Sequence, residues 1–182
     1  MRKFNFVKSV KFSFFMLLLA FAAAPAHAIE LGMTPSHVSS LWMNINNALV
    51  DSAAALTGDD VLSGKLSAMT PEAFQGKKPG DVLEQVARFR GRLDRLLDKH
   101  GQKATPIYLA PEGGDVTPSV VFVNTGHVLD STVLLLIQVD RERLISGYFT
   151  RHDISGKTPS GAYSLVNLAN RRMDSLLRAM AN

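Results

Sequence analysis

The sequence predicts an all-α fold, a bundle of four repeated helices joined by long connectors, and three observations point to it. A short proline phrase recurs four times, as Thr34-Pro35-Ser36, Lys78-Pro79-Gly80, Thr117-Pro118-Ser119 and Thr158-Pro159-Ser160. Behind the prolines apolar residues return in steps of four, three and four, the spacing of one stripe along a helix. Glycine stands ahead of each phrase, at Gly32, Gly76 and Gly156, and one place further back at Gly114. A repeat of about 40 residues is the signature of units that bury their faces only by stacking on one another.

The first copy sets Val38, Trp42, Ile45 and Leu49 on its stripe, and the second sets Val82, Val86, Phe89 and Leu93. The fourth supplies Ala162, Val166, Ala169 and Met173 at the same places. Thr before the proline is a good N-cap, and proline belongs in a first turn whose N–H groups lack partners anyway. Lys78 departs from that cap rule. Helices are therefore predicted over 35-56, 79-100 and 159-180, each about 33 Å long at roughly 1.5 Å per residue.

The third copy reads less cleanly. Its stripe is Val121, Thr125, Val128 and Thr132, with Gly126 inside it. Val120 to Val123 followed by Asn124-Thr125-Gly126 also reads as a strand entering a turn, with Val133 to Val139 as its partner. A helix over 118-138 is preferred, because β-branched residues lower helix propensity by only tenths of a kcal/mol each. The alternative is an α+β fold with residues 118-150 forming a β-hairpin or small sheet.

Connectors of roughly 16 to 22 residues exceed the 2 to 8 usual in bundles. At about 3.3 Å per residue each can run the length of a helix, so parallel and antiparallel neighbours are both reachable. Ile107-Tyr108-Leu109 and Leu144, Ile145, Tyr148 and Phe149 are apolar enough to pack on the bundle as strands or covering loops. Thr70 to Phe74 reads as a single helical turn, and Asp59-Asp60 as a solvated turn.

Residues 1-28 have the order of a cleaved secretory signal: a positive stretch to Lys11, an apolar run from Phe12 to Ala24, then Ala26-His27-Ala28. Cleavage is expected before Ile29, leaving 29-182 as a single helical domain of four repeats in the periplasm, or alternatively secreted. That apolar run is shorter than the roughly 20 residues of a membrane span, and no second span is expected after cleavage. The whole chain carries a net charge of +4, but Arg2, Lys3, Lys8 and Lys11 all lie in the leader. The remainder is neutral, with Lys and Arg matching Asp and Glu, which argues against a nucleic-acid partner. Absence of cysteine excludes disulfides, thiolate metal sites and CxxC redox chemistry.

Catalytic signatures are lacking. His37, His100, His127 and His152 form no HExxH or Glu-x-x-His motif, and Ser36, Ser119 and Ser160 occupy a helix start rather than a GxSxG elbow. No catalytic residue, metal ligand or cofactor is assigned. On the second helix Arg88, Arg90, Arg92, Arg95 and Lys99 alternate with Glu84, Asp94 and Asp98. This is the pattern of a solvated face with ion pairs four residues apart, the functional reading being a basic strip for an acidic partner. Asn46, Arg90 and Asn170 share one place in the repeat, just beyond the inward stripe. They fix register or line a polar pocket, and together with the connector residues Tyr148 and His152 they are the candidate binding residues.

The function expected is an exported, non-enzymatic binding or protein-interaction module of the bacterial envelope, for a protein or small-molecule ligand. Copied units make surfaces easily, whereas catalysis needs a few unlike residues in one place. The alternative is a periplasmic hydrolase or metal-dependent enzyme using connector His and Asp residues. A third reading is an envelope structural protein that self-associates.

Overall fold

The computed structural model describes residues 30–103, 105–106, 115–140 and 145–181. Four long helices start on the four prolines: α1 (Pro35–Thr57), α3 (Pro79–Lys99), α4 (Pro118–Val139) and α5 (Pro159–Ala179). A short helix, α2 (Asp60–Ser67), follows α1, and a 3-10 turn spans Ile145–Phe149. The third repeat is a helix, not a hairpin, and there is no strand among the described residues. Thr125 and Thr132 are accommodated in its buried stripe because each hydroxyl donates to a carbonyl one turn back, Val121 O and Val128 O, both at 2.8 Å.

All four helices run the same way. The first-turn pairs Pro35 and Val38, Pro79 and Val82, Pro118 and Val121, and Pro159 and Ala162 surround one small apolar gap at a single pole. Aligned helix dipoles repel, so a parallel bundle needs long return connectors and strong lateral packing. Around the ring the order is α1, α5, α3, α4, with α1 and α3 on one diagonal. The core is stacked in layers, one from each step of the stripe. Trp42 lies level with Val86, Thr125 and Val166, and Phe89 with Ile45, Val128 and Ala169, all buried. One large ring per layer offset by small neighbours fills the axis without overpacking. Trp42 and Phe89 meet edge to face across the diagonal, 5.2 Å between ring centres at 85°.

The repeated phrase acts at the pole. Gly32, Gly76 and Gly156 have φ of 67°, 68° and 69°, a left-handed conformation that favours glycine and turns the chain into the helix. The serine after each proline then reaches sideways. Ser36 Oγ accepts the N–H of Lys157 at 3.1 Å, Ser160 Oγ accepts that of Lys77 at 3.1 Å, and Ser119 Oγ accepts that of Met33 at 3.3 Å. Three of the helices, α1, α5 and α4, thus hold the entry of the next one round the ring. In the second repeat Gly80 replaces the serine, and this contact is missing between α3 and α4.

Two expectations need correction. Asp59 does not sit in a solvated turn: its Oδ1 accepts the N–H groups of Val61 and Leu62 at 2.9 and 3.2 Å and caps α2. Thr70 to Phe74 is not helical. Proline at 71 disfavours helical geometry at Thr70, and the segment is held instead by Arg171 on Thr70 O at 2.6 Å and Phe74 against the Tyr163 ring. Helix α4 is long and apolar enough to cross a membrane by length and composition, a test that a buried core helix also passes, and in the bundle 61% of its apolar window is buried. The expected signal sequence, Ile107-Tyr108-Leu109 and Leu144 lie outside the described residues.

Candidate functional site

The candidate residues Asn46, Arg90 and Asn170 do not converge. They occupy successive seams of the ring, where they set register. At the α1/α5 seam Asn46 Nδ2 donates to Leu165 O at 3.0 Å, and Arg172 Nη1 donates back to Asn46 Oδ1 at 3.1 Å. The α5/α3 seam repeats this one step on. Asn170 Nδ2 donates to Gln85 O at 3.3 Å, and Arg92 Nη1 returns to Asn170 Oδ1 at 2.7 Å. Leu165 and Gln85 are equivalent in the repeat, as are Arg172 and Arg92. Together these residues form an asparagine–arginine clasp, written twice.

Each arginine is further engaged. Arg172 is buried without a carboxylate and donates to Leu66 O at 3.0 Å and Met69 O at 3.3 Å. Burial, with the like charge of Arg171 beside it, lowers its pKa from the ordinary arginine value. Carbonyls at and just beyond the C-terminal end of α2 carry partial negative charge and stand in for the missing anion. Arg92 instead pairs with Asp174, 2.6 Å from Nε to Oδ1. Arg88 and Glu84, and Arg90 and Asp94, pair as the four-residue spacing predicts. The basic strip is largely spent on ion pairs.

At the α3/α4 seam Arg90 takes the asparagine's place and donates to Thr105 O, while Thr105 N donates to Ser131 Oγ at 3.0 Å. Connector backbone at Thr105 bridges that seam. The α4/α1 seam has no equivalent. Leu129 stands where the asparagine should be and Ala48 where the arginine should be, so the backbone carbonyl of Leu41, equivalent to that of Leu165, has no side-chain amide to accept from. A cleft of about 300 Å³ opens there.

Leu41, Phe122 and Leu129 form the apolar floor of the cleft, with Met33 at one end and Phe149 on the outer wall. That wall is fastened to α1. Asn44 Nδ2 donates to Thr150 O at 2.8 Å, His152 N donates to Ser40 Oγ at 2.9 Å, and His152 Nε2 meets Asn44 Oδ1 at 2.7 Å. Below it, the Tyr148 hydroxyl donates to Asp51 Oδ2 at 2.7 Å. Two of the five candidate residues, Tyr148 and His152, therefore hold the wall of the cleft without lining it. Between the pinned residues Thr150 and His152 lies Arg151, whose guanidinium reaches the cleft and comes within 3.5 Å of His37 Nε2. Phe149 is 52% exposed at the lip.

Sequence reasoning missed Arg151, Leu41, Phe122 and Leu129. The signal was present: the third repeat breaks the polar register at Leu129, and the first breaks it at Ala48. A second groove, of about 510 Å³, runs outside α1 and α5 and is lined by Met43, Glu72, Lys157 and Leu165 among others. Among the described residues no group of three His, Asp or Glu side chains is placed to hold a metal. Compared with known proteins, the chain matches no family model, no curated protein and no solved structure.

Proposed function

We propose that the protein is a non-catalytic binding module of the bacterial envelope and that its ligand occupies the α4/α1 cleft. One observation carries the reading. The asparagine and arginine of the clasp that closes two other seams are replaced here by Leu129 and Ala48, and the space left is roofed by a segment pinned to α1. An apolar hollow with a few polar groups at its edge is the usual form of a small-molecule site.

The side-chain geometry favours binding over the hydrolytic alternative. Serine nucleophiles need a base within hydrogen-bond reach, but Ser36, Ser119 and Ser160 each accept a backbone N–H across a seam. His152 faces the Asn44 carbonyl oxygen and His37 Nδ1 accepts Thr34 N–H at 3.0 Å, so neither ring meets a serine and an acid together.

The test uses the mature chain and the uncharged fluorescent probe N-phenyl-1-naphthylamine. Saturable fluorescence enhancement is expected, and Leu129→Trp, which fills the floor, is expected to abolish it while leaving the helical dichroism intact. Equal enhancement in both proteins would place binding elsewhere. Envelope residence is checked by fractionation, with the N-terminal residue of the recovered protein expected to be Ile29.

A further inference from the structure

Resting on the cleft as the binding site, we infer the chemical class of its ligand: an amphiphile with one anionic head, a medium-chain monocarboxylate being the simplest example, its head on Arg151 and its tail along Leu41, Phe122 and Leu129. Charge complementarity is the first argument. Arg151 is the sole fixed charge among the cleft-lining residues, and no carboxylate lines the cleft or pairs with it among the described residues. The other arginines of the bundle interior and seams are each tied to a carboxylate or to several carbonyls. Among the described residues the hydrogen-bond partner of the Arg151 guanidinium is the His37 ring, which carries no negative charge. A guanidinium presents a planar fork that matches a carboxylate in two hydrogen bonds, and its weak hydration makes the exchange of water for anion cheap.

Placement is the second argument. Thr150 and His152 on either side are fixed to Asn44 and Ser40, so the backbone carrying Arg151 is ordered before any ligand arrives. Preorganisation of this kind lowers the cost of binding. The polar atoms of Asn44 and Ser40 are used in that fastening, which leaves Arg151, with the uncharged Thr150 and the His37 ring beside it, to recognise the head.

Size is the third. A hollow of about 300 Å³ holds a short chain rather than a folded partner, on the order of ten groups at roughly 30 Å³ each. The floor residues are apolar throughout, so the tail needs no hydrogen-bonding groups. A cationic amphiphile would set like charge against Arg151, and a neutral one would leave the guanidinium to water.

The experiment displaces N-phenyl-1-naphthylamine from the mature protein with octanoate, octanol and octylammonium, in wild type, Arg151→Gln and Leu129→Trp. Octanoate is expected to compete roughly ten-fold more strongly than octanol, equivalent to about 1.4 kcal/mol, and octylammonium least. In Arg151→Gln the preference for octanoate over octanol is expected to vanish while octanol is unaffected, and added salt is expected to narrow it in wild type. If octanoate and octanol compete equally in wild type and in Arg151→Gln, the ligand class is wrong and the cleft stands. If no amphiphile displaces the probe and Leu129→Trp leaves its binding unchanged, the cleft reading fails and takes the inference with it.

Discussion

The α1/α5 and α4/α1 seams are built from the same repeat in the same register, yet one is closed by hydrogen bonds and the other is hollow. At α1/α5, Asn46 and Arg172 exchange bonds across the seam and Arg172 also ties down the end of α2. At α4/α1, Leu129 and Ala48 fill the equivalent places and bring no hydrogen-bonding side chain. Both seams retain the serine contact at the pole, Ser36 to Lys157 and Ser119 to Met33. Closure at the helix starts is therefore shared, and mid-helix chemistry alone separates a seam that holds the bundle from one that leaves room. Repetition supplied the scaffold; departure from repetition supplied the cleft.

The strongest way to break this comparison is to remove a clasp. Arg172→Met should leave Leu66 O, Met69 O, Asn46 O and Asn46 Oδ1 short of a donor. An expected loss of about 3 kcal/mol follows from orphaning buried acceptors of a charged donor, read as a lower urea midpoint with unchanged slope. A loss no greater than that of a conservative Leu129→Met change at the open seam, under ~1.5 kcal/mol, would show that the clasp is ornamental.

A smaller effect sharpens the comparison from the other side. Gly80→Ser would supply the serine that the α3/α4 seam lacks, facing Val116 N as Ser36 faces Lys157 N. Gly80 is inside a helix with open space around a new Cβ. The gain expected is roughly 1 kcal/mol, the sum of better helix propensity and one hydrogen bond, read as a rise in the thermal midpoint. No rise would mean that the serines elsewhere are tolerated rather than stabilising.

The helices were legible because their evidence is local. Pro35, Pro79, Pro118 and Pro159 mark the starts and the stripes behind them mark the buried faces, all of which are buried in the bundle. Even α4 followed the stripe, since Thr125 and Thr132 satisfy their own hydroxyls within the helix. Direction was not legible, because connectors long enough to cross the bundle permit either sense. The lateral role of Ser36, Ser119 and Ser160 was hidden for a related reason: a helix start accounts for a serine by itself, and the partner N–H lies as many as 121 residues away. Helix α2 escaped because its eight residues bury only Leu62 and Leu66, too short a stripe to show a period.

Within the site the pattern was mixed. Tyr148 was recognisable as part of an apolar stretch of its connector and His152 as a histidine beside it, and both hold the cleft wall. Asn46, Arg90 and Asn170 were recognisable as a shared position, but a ring arrangement distributes equivalent residues around the axis instead of gathering them. The floor was invisible because Leu41 and Leu129 lie beside the stripes, where a leucine reads as ordinary core edge. Only comparison of Leu129 with Asn46, Arg90 and Asn170 in the other repeats marks it as a departure.

The most direct test of the account is amide NMR of the mature protein titrated with octanoate. Shift changes are predicted to saturate together and to centre on residues 37–44 of α1, 122–129 of α4 and 149–152 of the wall, with little change along the α5/α3 seam around Gln85 and Asn170. Saturable changes centred on the clasped seams, with the α4/α1 residues unmoved, would contradict it.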